Sequence, residues 1–171
     1  TCTISYGYNT SAGDEYSACA PLEVLAQKQD TLLNRGDLVT AFSCVGKFNL
    51  MGQDEASEPY NPSSSNQNTV KTILTAIAGA TMLGFTHCQA ITITFDSEDS
   101  LIDSFIPADY FQVGFRESRL SAFKKALMWT KCKARIEANG AIHVFNPTIS
   151  GTTYNYEYND SASEHNFFDK S

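Results

Sequence analysis

The sequence predicts an α+β fold: a mixed or antiparallel sheet, two or three helices packed on it, and a C-terminal β-hairpin. Three stretches carry that prediction. Across residues 118–129, Leu120, Phe123, Leu127 and Met128 recur at helical spacing on one stripe, with Arg119, Lys124 and Lys125 off it. The helix runs into residues 133–138 and 141–145, joined by Asn139-Gly140, the pair that best tolerates the two positive φ angles of a type I′ turn. Across residues 90–95, Ile91, Ile93 and Phe95 alternate with Thr92 and Thr94, the pattern of a strand buried on one face.

The remaining elements follow in chain order. Residues 1–20, rich in Gly, Ser, Thr and Tyr, read as a strand or extended arm with turns. From Pro21 a short helix is expected, with Pro in the first turn and Leu22, Leu25 and Leu32 or Leu33 on its apolar side, broken by Asn34-Arg35-Gly36-Asp37. Residues 38–48 read as a strand in which Leu38, Thr40, Phe42 and Cys44 alternate with Val39, Ala41 and Ser43. Neither parity is polar, so this strand is expected to be covered on both faces. Residues 1–50 thus form a β-rich portion with a short helix. Residues 51–68, with Asp54, Glu55, Glu58, Pro59, Pro62 and the run Ser63-Ser64-Ser65-Asn66, have the composition of an exposed loop, and a loop of this length is either functional or a linker.

Residues 69–171 read as an α+β portion with two helix-strand units, within one compact domain or a fragment of a longer chain. Asn68 or Thr69 caps a helix over residues 70–82, with Val70, Ile73, Leu74 and Ile77 on its apolar side and Gly84 as its stop. An acidic loop, Asp96-Ser97-Glu98-Asp99, follows the strand at 90–95. Tyr110, Gln112 and Gly114 against Phe111, Val113 and Phe115 suggest a further strand feeding the helix at Ser118. Near the end, Tyr154, Tyr156 and Tyr158 alternate with Thr153, Asn155 and Glu157, the pattern of a tyrosine ladder on one face of a strand. Segments 68–95 and 118–145 are equally long, and Val70, Ile73 and Ile77 align with Leu120, Phe123 and Leu127 while the strand halves slip by one residue. This reads as reuse of one helix-strand packing unit.

With 171 residues, 42% hydrophobic and 18% charged, the chain can bury a core without disulfides or metal. Its 19 acidic and 12 basic residues give a formal charge of −7, which disfavours nucleic acid as a partner. Lys124, Lys125, Lys131, Lys133 and Arg135 form the one basic run and read as a solvated helix end and hairpin. Cys2, Cys19, Cys44, Cys88 and Cys132 are scattered, with no CxxC, against a complete disulfide framework or a zinc ribbon. Cys44 and Cys132 lie in apolar periodic segments and read as buried, inert thiols, while a Cys2–Cys19 bridge is conceivable in an oxidising compartment. The most apolar stretch, residues 73–85, is too short to span a bilayer, and the protein reads as soluble. The start without Met and the end just after Phe167-Phe168 suggest a processed chain or a piece of a longer one.

Chemistry-bearing patterns are thin. His87, His143 and His165 lie in three contexts without metal-ligand spacing, so neither metal nor cofactor is expected. Asp96, Glu98, Asp99 and Asp103 offer oxygen ligands, yet lack the EF-hand spacing and its glycine, and read as a solvated acidic loop. Thr1 invites comparison with hydrolases whose N-terminal threonine uses its own α-amine as base. Phosphate loops, nucleophile elbows and dinucleotide fingerprints do not occur.

Three segments together resemble tailed-phage baseplate-hub and late-control D type tail proteins: residues 68–78 (NTVKTILTAIA), 118–127 (SRLSAFKKAL) and 135–145 (RIEANGAIHVF). In that family a short helix follows a first barrel-like portion, and a second helix precedes a hairpin. The hairpin runs acidic or polar, small, Asn or Asp, Gly, any residue, Ile, His, Val. Residues 154–158 and 165–171 also look like the stretch leading into a further strand in such chains, so the resemblance covers about residues 38–171. It implies a virion structural protein, a homo-oligomeric hub or adaptor subunit that builds a ring through β-rich faces and joins the tail tube to a spike or fibre. Its partners would be copies of itself and other tail or virion proteins, with no nucleic acid and no membrane span. The family brings no catalytic residues with it, so the chain is read as a non-enzyme, and it is shorter than a whole hub.

Two other function classes remain beside this one. The first is a secreted module holding a ligand, most naturally a carbohydrate, on the face of Tyr154, Tyr156 and Tyr158. The second is a hydrolase with Thr1 as nucleophile.

Overall fold

The computed structural model describes residues 1–11, 13–32, 37–60, 68–96 and 99–147. Its fold is α+β. Two antiparallel ribbons come first: β1 (Ser5–Thr10) with β2 (Gly13–Ala18), and β3 (Leu22–Leu32) with β4 (Asp37–Gly46). Then come α1 (Lys47–Gln53), α2 (Val70–Ala78), β5 (Ile93–Asp96), α3 (Leu101–Ser104), a 3-10 turn (Ala108–Tyr110), α4 (Arg119–Leu127), β6 (Lys133–Ile136) and β7 (Ile142–Phe145). The last three strands form a mixed sheet in the order β5-β7-β6, parallel between β5 and β7 and antiparallel between β7 and β6.

One core serves the second half of the chain. Ile142 and Val144, with Ile93, Phe95, Ala134 and Ile136, form the inner face of the mixed sheet. Against that face lie Val70, Ile73, Leu74 and Ile77 of α2 and Ala122, Phe123 and Ala126 of α4, with Met51 of α1 closing the layer. Phe111 leaves the 3-10 turn fully buried, its ring 6.0 Å from that of Trp129 and 5.7 Å from that of Tyr60.

The two helix-strand units share one constant spacing. Thr69 and Ser118 both cap, each hydroxyl accepting from the backbone N–H three residues on, of Thr72 at 3.4 Å and of Ser121 at 3.2 Å. From there Val70, Ile73, Leu74 and Ile77 correspond in order to Arg119, Ala122, Phe123 and Ala126, all buried. At the same spacing Ile93 corresponds to Ile142 and Phe95 to Val144, the very pairs set side by side in the parallel register. The alignment starting from Leu120 is therefore one residue out, and the expected slip between strands disappears. The buried stripe of α4 begins on Arg119; Leu120 and Leu127 flank it, and Met128 is 74% exposed.

Several sequence expectations are corrected. The helix expected from Pro21 is the strand β3, paired with β4 over its whole length. A bulge between Val24 and Ala26 inserts Leu25, which breaks the period-2 alternation and leaves leucines at spacings that mimic a helix. A short helix, α1, instead occupies Lys47–Gln53, where the sequence reads as the end of a strand and the start of a loop. Strand β4 is present, but it is not covered on both faces: Leu38, Val39 and Phe42 are exposed. Within the segment 51–68 read as exposed loop, Met51, Asp54 and Ala56 are buried, Glu55 and Tyr60 bridge to Ser118 and Val113, and residues 61–67 lie outside the described set. That bridge and the 3-10 turn replace the strand expected at residues 110–115. Helix α2 stops at Ala78 rather than residue 82, with Gly79 at its C-cap.

The Asn139-Gly140 turn also differs. Glu137 N–H donates to Ala141 O at 2.9 Å and Gly140 N–H to Glu137 O at 2.8 Å, so the loop holds three residues, Ala138 to Gly140. Only Gly140 has positive φ, +80°, the geometry of a type I turn followed by a left-handed glycine. Asn139 contributes its side chain instead, Oδ1 accepting from Ala141 N–H at 2.9 Å.

Gly84 marks a second constrained point. Its φ is +59°, and a Cβ there would stand 2.0 Å from Ser57 Oγ, which itself donates to Gly84 O at 3.0 Å. Left-handed backbone and collision act together, so Gly84→Ala is expected to cost about 1–3 kcal/mol. Urea midpoints check it, and a loss below ~0.5 kcal/mol would contradict the stated geometry.

Candidate functional site

Among the described polar groups, the most heavily bonded is buried. Arg119, the first residue of α4, has a side chain with no solvent exposure. Its Nε donates to Ile77 O at 2.8 Å, its Nη1 to Cys88 O at 2.9 Å and Gln89 O at 3.2 Å, and its Nη2 to Ala78 O. Ile77 and Ala78 are the last residues of α2; their carbonyls also accept from the N–H groups of Ala80 and Ile91, so the guanidinium adds a further donor to each and places positive charge at the helix's negative end. Asp54, equally buried, completes the node: Oδ2 accepts from Arg119 Nη1 at 3.2 Å and Cys88 N–H at 3.3 Å, Oδ1 from His87 N–H at 3.0 Å. Asp54 O accepts from Arg119 N–H at 2.7 Å. The node ties the end of α1, the end of α2, the 87–89 loop and the start of α4 into one unit. With donors and acceptors spent on one another and on backbone, its chemistry is structural.

Cys88 sits in this node, and burial pushes its thiol above the ordinary value, against the opposing pull of Arg119. A raised thiol supplies little thiolate and is a poor nucleophile. The His87 ring is 77% exposed, with Nδ1 3.7 Å from Asp54 Oδ1.

A second polar group occupies the outer face of the mixed sheet. His143 on the central strand has Nδ1 2.7 Å from Glu137 Oε1 and Nε2 3.9 Å from Asp96 Oδ2, its side chain 16% exposed. Arg135 Nε donates to Glu137 Oε1 at 2.7 Å, and its guanidinium lies 4.8 Å from the centre of the Phe145 ring. The bonds from Arg135 and His143 hold the Glu137 carboxyl below the ordinary carboxylate range. The set fastens the hairpin Glu137 side to β7 and aligns a row of charges toward solvent.

At the N-terminus of α4, Glu117 accepts from Lys125 Nζ at 2.8 Å, Ser121 Oγ at 2.7 Å and Gly114 N–H at 3.0 Å. Burial alone would raise this carboxyl; the three bonds outweigh it and hold it low. A depressed native value gives stability that is present above the unfolded pKa of about 4.3 and lost as pH falls through the native value. Glu117→Gln is therefore expected to flatten the acid limb of the stability curve below about pH 4.3. Urea midpoints of both proteins at neutral and acid pH would decide it; identical acid limbs would contradict the assignment.

The residues singled out from the sequence fall as follows. Thr1 lies beside Glu23, its α-amine 3.8 Å and its hydroxyl 3.5 Å from Oε2, with the side chain 55% exposed. Asp99 receives the backbone N–H groups of Leu101 and Lys131, and Asp103 pairs with Lys71 at 2.9 Å, so these carboxylates serve the local fold. Among the described residues no group of three or more His, Cys, Asp or Glu is placed to hold a metal. All five thiols are free; Cys132 is buried as expected, with its sulfur accepting from Asp99 N–H at 3.3 Å, whereas Cys44 is only half-buried. Tyr154, Tyr156, Tyr158 and His165 lie outside the described residues. Arg119 and Asp54 were missed, and the one signal for Arg119 was its phase with Ala122 and Ala126, small residues that make room for a large neighbour.

Several exposed surfaces among the described residues are apolar. One face of the β3–β4 ribbon presents Leu38, Phe42 and Val24, which are 64%, 55% and 38% exposed, and the β1–β2 ribbon presents Tyr6, Tyr8 and Tyr16. A third surface is an open groove of ≈ 690 Å³ beside α4 and β6, floored by Phe48, Leu120, Leu127 and Met128 and rimmed by Lys124 and Lys133. No helix among the described residues is long and apolar enough to cross a membrane. Compared with known protein families and curated proteins, the chain matches no family and no curated sequence.

Proposed function

We propose that this chain is a structural subunit of a phage-like tail, a hub or adaptor that assembles with copies of itself through its β-rich faces and works within the virion. The observation that carries the reading is the β3–β4 ribbon, which leaves Val24, Leu38 and Phe42 open to solvent on one face, interleaved with Gln27, Gln29 and Thr31. A two-stranded ribbon is marginally stable alone in water, and clustered exposed apolar groups mark association surfaces. A neighbouring subunit laid against that face removes both liabilities.

The resemblance to hub-type tail proteins supports the same reading. Its three segments coincide with α2, α4 and the β6–β7 hairpin, and thus with the two equivalent helix-strand units. Both densest polar groups favour a scaffold role, because each is consumed in bonding one element to another. Other tail proteins would then cover the remaining faces. Native mass spectrometry of the full chain tests the reading: a closed multimer is expected, and a strict monomer at tens of micromolar counts against it.

A further inference from the structure

We propose that the β1–β2 hairpin of one copy seats in the lysine-rimmed groove beside α4 of the next copy, an inference that rests on the assembly reading above. The two surfaces are opposite in charge and alike in apolar content. The hairpin carries Asp14 and Glu15 and has no Lys or Arg between Ser5 and Ala18. Glu15 lies on the face of Tyr6 and Tyr8, whereas Asp14 lies on the opposite face, where the Asn9 amide holds it at 2.8 Å; both carboxylates are exposed. Across the groove, Lys124 and Lys133 line the rim and Lys131 is nearby and exposed, and among the described residues none of the three makes an ion pair. Lys125 is already engaged by Glu117 at 2.7 Å, which leaves Lys124 and Lys133 to face an incoming acid.

Shape and residue type agree with charge. Tyr6 and Tyr8 share one face of the hairpin with Glu15, their cross-strand partners being Ser17 and Glu15. Tyrosines bury a large ring at small entropic cost and offer their faces to ammonium groups, so they suit a groove floored by Leu120, Leu127 and Met128 and edged by lysines. On the opposite face the Tyr16 ring lies across Gly7, where an added Cβ would come within 2.2 Å of Tyr16 Cδ1. That cover stiffens the ribbon before it docks. The two surfaces are different parts of the chain, so the contact is head-to-tail, and repeated head-to-tail contacts either close a ring or run on as a filament.

The test reverses charge on each side in the full-length chain. Lys124→Glu with Lys133→Glu alters the groove, and Asp14→Lys with Glu15→Lys alters the hairpin; all four positions are exposed, and circular dichroism verifies folding. Each double variant alone is expected to associate roughly 100-fold more weakly than the parent. Mixing the two is expected to restore assembly as a multimer in which the variants alternate, because the acidic hairpin of one meets the lysine groove of the other and the lysine hairpin of the second meets the acidic groove of the first. Carrying all four changes in one chain is expected to restore the parent multimer. A multimeric parent that neither double variant weakens overturns this docking while leaving the assembly reading in place. A monomeric parent overturns both.

Discussion

Replacing Arg119 with methionine is expected to lower the unfolding free energy by about 3–5 kcal/mol, the usual consequence of stranding one member of a buried ion pair. In a domain of this size that corresponds to a fall in Tm of roughly 10 °C or more. The magnitude follows from what stays behind: the Asp54 carboxylate without its cation, and the carbonyls of Ile77, Ala78, Cys88 and Gln89 with fewer donors. Arg119→Lys separates the two contributions. A lysine keeps a charge for Asp54 but lacks the planar fork that reaches several carbonyls, so it should recover only part of the loss. Asp54→Leu combined with Arg119→Met removes both charges and should also fall short, because the carbonyls remain. Thermal and urea denaturation measure all three. A loss under about 1 kcal/mol for Arg119→Met would mean that the node is not what joins the helices.

That node shows where sequence reading stops. The capped starts of α2 and α4 were legible because the cap and the apolar spacing lie within a few residues of each other. The strand at β5 and the hairpin at β6–β7 were legible for the same local reason. Arg119 was not, because its reason for being buried sits at Asp54 and at the ends of other elements. A charged residue beside Leu120 reads as surface until its partner is found, and taking Leu120 as the first inward position rotated the whole stripe by one residue. The helix expected at Pro21 failed for a related cause: β3 is specified by pairing with β4, and the bulged Leu25 erases the alternation that would have announced it. The turn at Asn139-Gly140 was placed correctly, while its type was set by one extra loop residue. The exposed apolar positions were hidden more deeply, since Leu38 and Phe42 look like any buried strand positions until the structure leaves them uncovered.

Introducing aspartate at both Leu38 and Phe42 is expected to have the second large effect, on association rather than on folding. Both lie on the same face of β4, 64% and 55% exposed, so the isolated fold loses little. Two carboxylates buried without partners in an interface would each cost several kcal/mol, enough to weaken assembly by roughly 1000-fold. Circular dichroism should be unchanged while the sedimentation coefficient falls to that of a single chain. Aspartates at Ala41 and Ser43, exposed positions on the opposite face of β4, would serve as a comparison for charge added to the same ribbon.

In the proposed assembly, the open ribbon faces are contact surfaces between copies of this chain. Native mass spectrometry of the full-length protein at tens of micromolar, with the Leu38→Asp/Phe42→Asp variant alongside, tests it most directly. The expected result is a single closed multimer for the parent and a monomer for the variant. A parent that stays monomeric across the concentration range, or a multimer whose mass the paired substitution leaves unchanged, would contradict it.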